Sequence, residues 1–203
     1  SNIIPDGLYR DGLQRQRFLP AIELLKKHME VINVDCGVDY RLRTLTQASL
    51  YHLSSEPALD AELEACFKQL IPDVENVKSN GAIDIEGRVI RYIKEADDVI
   101  WFDFLDLCDG PRSQNDYIVL AKEFHAVILT GVPQMGEAND DQARRFIYLV
   151  DEFYDRQVKL VVSADQPIDK LYGKGKLSFE FARTMSRLLE MQSEEYLARP
   201  HKP

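Results

Sequence analysis

Two pairs of arginines could contact phosphate groups. Arg183 and Arg187 stand four residues apart in a segment with helical periodicity, so their side chains share one helix face. A guanidinium group is planar and always charged, and its N–H groups match phosphate oxygens. Arg144 and Arg145 form a second pair, but with 34 acidic residues in the chain, ion pairs are the alternative interpretation of both pairs. We take Arg183 and Arg187 as candidate cofactor-binding residues.

A metal cluster is the second possibility, at Asp103, Asp106 and Asp109 together with His125. In an extended segment Asp103 and Asp106 point to opposite faces, which favours capping or solvated roles. The four histidines form no HxxxH or HExxH pair, so the spacing predicts no metal site. Cys108 has no partnered histidine in the sequence and is interpreted as a small core residue. An unrelated hydrolase using Cys108 or His125 therefore has no support from spacing.

Phosphate-binding loops are the third possibility. The pattern GxxxxGK[ST] does not occur, and GKGK at residues 173–176 lacks both its spacing and its terminal hydroxyl residue. GPRS at residues 110–113 connects a predicted strand to a predicted helix but has neither the lysine nor the glycine spacing. We interpret it as a relic that no longer binds phosphate or as an ordinary connecting loop.

Continuous apolar strands and amphipathic helices alternate in the second half of the chain. Strands without polar alternation are buried on both faces, as in a parallel sheet covered by helices. The order β-α-β-α-β then predicts a doubly wound α/β unit. The predicted strands are VIWFDF (99–104), AVILT (126–130) and VKLVVS (158–163). Of the three predicted helices, the first is capped by Asp116, the second begins at Asp140 or Asp141, and the third spans residues 179–196.

The first half of the chain has weaker signals. A helix is predicted over residues 20–29, with Pro20 in its first turn, and a short strand over 31–34. Residues 44–58 have the composition of a connector. Apolar residues at i, i+4, i+7, i+8 and i+11 from Leu59 predict an amphipathic helix over 59–70, and two strands around Glu86-Gly87 predict a hairpin.

Composition excludes several protein classes. The net charge is −9 and no lysine or arginine cluster is present, so we predict no nucleic-acid partner. No run approaches 18 apolar residues, so we predict no integral membrane segment. Three cysteines without a CxxC spacing indicate a reducing compartment, and we expect a cytoplasmic protein.

Long motifs in this chain resemble the ZapE family of AAA+ cell-division ATPases, which are related to the mitochondrial lactation-elevated ATPase. The resemblance covers nearly the whole chain and thins between about residues 50 and 85. The matching stretches are SN-x-x-P-x-x-LY-x-DGLQR-x-RFLPAI, G-x-DYR, FDFLDLC, DYIVLAKEFHAVILTGVPQM, ARRFIYLVDEFYD, VKLVVSA and FARTMSRLLEMQSEEYL.

The resemblance implies a nucleotide site that this chain completes only in part. The family's P-loop and Walker B strand lie upstream of the matched stretch, so the chain resembles the carboxy-terminal half to two-thirds of such a protein. By resemblance, Asn2 is the polar sensor, and Arg15 and Arg17 stand at the position of the arginine finger. The two arginines point in different directions on a helix, and we prefer Arg15. A tag remnant at Asn2 and a surface ion pair at the arginines are the alternatives.

The implied fold is α/β: the end of a P-loop AAA+ core, then a second three-layer α/β unit with mainly parallel strands. We predict that residues 1–43 complete the ATPase core, 44–98 connect, and 99–203 form the carboxy-terminal domain. The implied function is ATP hydrolysis with Mg²⁺ by an AAA+ oligomer, coupled to remodelling of the tubulin-like ring protein at the division site. We expect no nucleotide turnover and no bound cofactor for this chain alone. The alternative is a non-catalytic protein-binding module with a degenerate P-loop-like fold.

Overall fold

The computed structural model describes residues 15–29, 45 and 49–203, and divides the chain into the units Ser1–Asp39 and Tyr40–Pro203. In the first unit, helix α1 spans Arg15–His28. It begins five residues before the predicted start, so Pro20 lies inside the helix, where it cannot donate a hydrogen bond to the preceding turn. The predicted strand at 31–34 and Asn2 lie outside the described residues.

The second unit is built from six strands and six helices within its described residues. The strands are β1 (Tyr51–Leu53), β2 (Lys78–Ile85), β3 (Arg88–Ala96), β4 (Val99–Asp103), β5 (Ala126–Val132) and β6 (Lys159–Ala164). The helices are α2 (Leu59–Leu70), α3 (Phe104–Cys108), α4 (Gln114–Glu123), α5 (Asp140–Asp155), α6 (Ser178–Met191) and α7 (Glu194–Leu197). Two 3₁₀ turns, Glu137–Asn139 and Ile168–Lys170, lie in the connections.

The strands form one mixed sheet with the order β1-β6-β5-β4-β3-β2. β1, β6, β5 and β4 run parallel, and the β2–β3 hairpin extends the sheet antiparallel to β4. Glu86 and Gly87 turn the hairpin, both with positive φ, which matches the right-handed twist of paired strands. The predicted α/β fold with mainly parallel strands is confirmed.

Helices cover both faces of the sheet and make three layers. The first face, with Phe102 and Leu129, packs against α4, α5 and α6. The second face, with Trp101 and Ile128, packs against α2, whose predicted apolar stripe is buried. Burial on both faces explains why the central strands are apolar without alternation.

The segment predicted as a connector contributes to this sheet. β1 pairs with β6 through the register His52↔Ser163, and β2 and β3 form its far edge. The sequence prediction missed β1 because a three-residue strand carries too short a pattern to detect. The domain boundaries at residues 43 and 98 stay predictions.

Helix ends differ from the predictions at two places. Ser113, not Asp116, is the N-cap of α4, and Asp116 stands at the third helical position, where it completes a capping box with Ser113. The last helix is interrupted: α6 ends at Met191, and Ser193 caps the short α7 by accepting a hydrogen bond from the Tyr196 N–H. Because the Ser193 hydroxyl accepts a backbone N–H in place of a carbonyl of the preceding turn, a new helix begins after it.

Candidate functional site

The carboxyl ends of the parallel strands define the place where an α/β sheet of this kind binds ligands. β1, β4, β5 and β6 all end at one edge. After β1 the chain passes to α2 on the second face, whereas after β6 it passes to α6 on the first face. Because the two connections leave in opposite directions, a crevice forms between β1 and β6, at the topological switch point of the sheet. We call this the β1–β6 crevice.

A groove of about 660 Å³ opens on one side of this crevice. Tyr51, Glu56 and Asp169 line it together with Met185 and Leu189 of α6, and its lining residues include no lysine, arginine or histidine. Burial, with Asp165 and Asp169 nearby, raises the pKa of the Tyr51 hydroxyl, which donates a 2.6 Å hydrogen bond to the Gln166 carbonyl. Two carboxylates and no basic side chain in the lining do not favour the binding of a polyphosphate.

A polar row crosses the second face near the same edge. Gly131 has a positive φ, and its N–H donates to Ser163 Oγ at 3.2 Å. The Trp101 indole donates to Thr130 Oγ1 at 3.2 Å, and Asp103 accepts the Leu105 N–H at 2.9 Å. Each of these groups has a hydrogen-bond partner in the sheet or in the helix that follows it, so the row stabilises the strand ends.

Three potential metal ligands converge beside this row. His52 Nδ1 lies 3.4 Å from Glu56 Oε2 and 3.3 Å from Glu62 Oε2. Among the described residues, this is the one group of at least three such side chains whose ligand atoms lie close enough to share an ion. No metal site was predicted here from the sequence, because His52 and Glu56 lie in the segment predicted as a connector. The four-residue spacing of His52 and Glu56, followed by Glu62, was the available signal.

Arg183 and Arg187 of α6, in the helical layer on the first face of the sheet, come together at a shared acid. Arg183 Nη2 and Arg187 Nη1 contact the two carboxylate oxygens of Asp151 on α5. Arg187 also stacks on the Tyr154 ring at 4.9 Å. This is the ion-pair arrangement that the sequence left open as the alternative. Phosphate binding by the two arginines stays a prediction.

Arg145 of the second arginine pair and the loop before α4 have structural partners. Arg145 donates to the Cys108 carbonyl at 3.4 Å, and Arg144 is exposed. In the GPRS loop, Arg112 donates to the Asp106 carbonyl at 3.0 Å and Ser113 caps α4. The loop therefore has the contacts of an ordinary connection.

The other carboxylates, the histidine and the cysteine do not form a site. His125 contacts Asp98 at 2.8 Å at the amino ends of the strands, whereas Asp103 lies at the carboxyl ends. Asp106 pairs with Arg91 at 3.0 Å. Burial raises the pKa of the Cys108 thiol, so it is a weak nucleophile.

The family-implied residues lie at the start of α1. Arg15 and Arg17 are its first and third residues, and their side chains lie outside what the structure describes. The first turn of α1 contains no acidic residue, although its last turn contains Lys26, Lys27 and His28. Cations at a helix N-terminus oppose the macrodipole, which is a cost to stability that function can explain.

No helix within the described residues combines the length and the apolar composition that crossing a membrane requires.

Comparisons with known proteins identify relatives across the whole chain. A family model described as AFG1-like ATPase matches residues 1–200. Cell division protein ZapE of Escherichia coli (strain K12) is 48% identical over 201 residues, 99% of this chain and 53% of that protein. Lactation elevated protein 1 homolog B of Danio rerio is 33% identical over 229 residues, 97% of this chain and 46% of that protein. The predicted resemblance is confirmed, and the chain spans about half the length of the curated relatives it matches. No solved structure matches.

Proposed function

The chain belongs to the AFG1-like ATPase family, and from this premise we propose that it is the carboxy-terminal portion of an ATPase that remodels proteins in cell division. The observation that carries the proposal is its 48% identity, over 99% of its length, to a protein named as a cell division protein. The phosphate cradle and the Walker B acid that hold ATP and Mg²⁺ belong to the part of such a protein that precedes this sequence.

In this proposal, Arg15 is the arginine finger of an AAA+ oligomer. It begins α1, where a cation has no favourable interaction with the helix dipole. A guanidinium group inserted beside the terminal phosphate of a neighbouring subunit would stabilise charge that develops during phosphoryl transfer. Asn2 would orient the attacking water. Because residues two apart in a helix do not share a face, the proposal assigns the finger to Arg15 and not to Arg17.

The sheet-containing unit has a non-catalytic role in this proposal. Its β1–β6 crevice is lined by Glu56 and Asp169, and Arg183 and Arg187 are already bound to Asp151. These charges favour the second candidate function, a protein-binding module attached to the ATPase core. We place the core in residues 1–43 together with upstream sequence, and assign residues 44–98 and 99–203 to the module.

The proposed partner is the tubulin-like division protein, and the proposed location is the cytoplasmic side of the division site. Cosedimentation with polymers of that protein tests the partner directly. We expect the 203-residue chain to pellet with the polymers, because the module is contained in it. A chain that stays in the supernatant, with the longer gene product also unbound, would exclude this partner.

The finger is tested by ATP hydrolysis in the full-length gene product. We expect Arg15→Ala to lower kcat by about 10³–10⁵ with little change in KM, and the matched control Arg17→Ala to retain activity. An upstream variant that lacks the P-loop lysine should be inactive alone. Mixed one to one with Arg15→Ala, it should restore about a quarter of the rate, because only sites with an intact cradle and an intact neighbouring arginine work.

Two results would contradict the assignment of Arg15. One is a wild-type kcat for Arg15→Ala, and the other is a mixture that stays inactive although both variants assemble by light scattering. A separate titration of ATP with Mg²⁺ into the 203-residue chain tests the module. We expect no heat of binding. Saturable binding would instead support Arg183 and Arg187 as nucleotide-binding residues.

A further inference from the structure

His52 is a buried imidazole aimed at two carboxylates from different segments. It lies in β1 with 4% of its surface exposed. Glu56 belongs to the loop after β1, and Glu62 to the first turn of α2. One nitrogen and two carboxylate oxygens lie within 4.8 Å of one another. Two negative charges therefore meet at a single nitrogen at the switch point of the sheet.

The distances fit a shared ion better than direct ion pairs. Charge-assisted N–H···O bonds have lengths of about 2.7–2.9 Å. The separations from His52 Nδ1 are 3.4 Å to Glu56 and 3.3 Å to Glu62. A tetrahedral zinc ion, with bonds of about 2.0–2.2 Å, holds its ligand atoms about 3.3–3.5 Å apart. Both observed separations match an edge of such a tetrahedron.

The ligands are held in place before any ion binds. Glu56 Oε1 accepts the Leu53 N–H at 3.1 Å, which leaves Oε2 directed at the imidazole. Burial in β1 restricts the His52 ring. Its Nε2, which is not the proposed ligand atom, is buried with no hydrogen-bond partner among the described residues. A cavity of about 390 Å³ borders His52 and Glu62, so water can reach the site and complete the coordination.

We propose that His52 Nδ1, Glu56 and Glu62 bind one divalent transition-metal ion of the zinc class. Imidazole suits Zn²⁺ and its neighbours, whereas Ca²⁺ and Mg²⁺ prefer all-oxygen sites. The two carboxylates neutralise the charge of the ion. Since the ligands come from β1, the loop after it and α2, the ion joins the edge strand to the helix that covers the second face of the sheet. This site is independent of ATP hydrolysis.

Zinc titration of the metal-free 203-residue chain tests the proposal, with a chromophoric chelator as competitor. We expect one equivalent of Zn²⁺ to bind and an excess of Mg²⁺ not to displace it. Glu62→Gln and His52→Gln should each weaken binding at least about tenfold. Glu64→Gln, on the same helix, is the matched control because Glu64 pairs with Lys94.

Thermal unfolding gives a second readout that does not depend on the chelator. Zn²⁺ should raise the Tm of the wild-type chain and of Glu64→Gln, but not of Glu62→Gln. The Glu62 side chain is 53% exposed, so its substitution leaves the fold intact even where His52→Gln does not. Absence of saturable binding, or equal affinity in wild type and Glu62→Gln, would overturn the proposal.

Discussion

Removal of the Asp116 carboxylate should destabilise the sheet-containing unit far more than removal of a comparable surface acid. Asp116 is fully buried at the start of α4. Its Oδ2 accepts the Ser113 N–H at 2.7 Å, and its Oδ1 accepts Arg88 Nε of β3 at 2.8 Å. One side chain thus closes the capping box and joins the helix to the hairpin.

The magnitude follows from these contacts. A lost capping interaction costs about 1 kcal/mol. Charge-assisted hydrogen bonds to a buried carboxylate contribute about 1.5–3 kcal/mol. We therefore expect Asp116→Ala to lower the free energy of unfolding by about 2.5–4 kcal/mol. For a chain of this length, that corresponds to a decrease in Tm of roughly 5–16 °C.

Asp106 of α3 provides a matched control, because it contacts the same hairpin. It accepts Arg91 Nε of β3 at 3.0 Å, but Arg91 is 79% exposed. An exposed pair contributes at most about 1 kcal/mol, so Asp106→Ala should shift the Tm by no more than roughly 4 °C. Asp116→Asn, which keeps an oxygen acceptor, should fall between the two.

Thermal and urea unfolding of the three variants, monitored by circular dichroism, measure these differences. Equal shifts for Asp116→Ala and Asp106→Ala would refute the reasoning, because burial would then not decide the strength of the contact. A wild-type Tm for Asp116→Ala would show that neither the capping box nor the hairpin contact stabilises the unit.

Hydrogen bonding to Lys94 lowers the pKa of Glu64 below its ordinary value of 4.5. A lowered carboxyl pKa stabilises the fold above the unfolded-state value, and this contribution disappears as the pH falls through the folded-state value. Urea unfolding of wild type and Glu64→Gln should therefore converge below about pH 4.5, and a constant difference down to about pH 2 would contradict this. Cys66 and Cys108 are buried, and burial raises the pKa of Cys66 to about 11. Peptide mass spectrometry should find both thiols unalkylated by iodoacetamide in the folded chain and alkylated in urea; rapid labelling of the folded chain would exclude the assigned burial.

Local patterns predicted most of the elements correctly. The apolar spacing from Leu59 predicted α2 and its buried stripe, because helical side chains repeat every 3.6 residues whatever the rest of the fold does. The hairpin was predictable because its turn, at Glu86-Gly87, is local. The N-cap of α4 was predicted wrongly at Asp116, although Ser113 followed three residues later by an acid has the pattern of a capping box.

The candidate sites were less predictable, because their partners come from distant segments. The four-residue spacing of Arg183 and Arg187 placed them on one face of a helix. Nothing in that spacing indicates that Asp151, more than 30 residues earlier, would lie opposite and accept both. Similarly, β1 exists because it pairs with Val162 more than 100 residues away, not because its own three residues prefer a strand.

The sequence alone therefore determined the family, the α/β class, and the periods of the helices and central strands, since these depend on residue identity and on backbone geometry over a few residues. Tertiary structure decided which charges meet. Packing placed Asp151 beneath two arginines and brought Glu62 of α2 to a buried histidine of β1. These contacts depend on the order of the strands in the sheet and on how the helices pack against its two faces. The spacing of residues within a single segment determines neither.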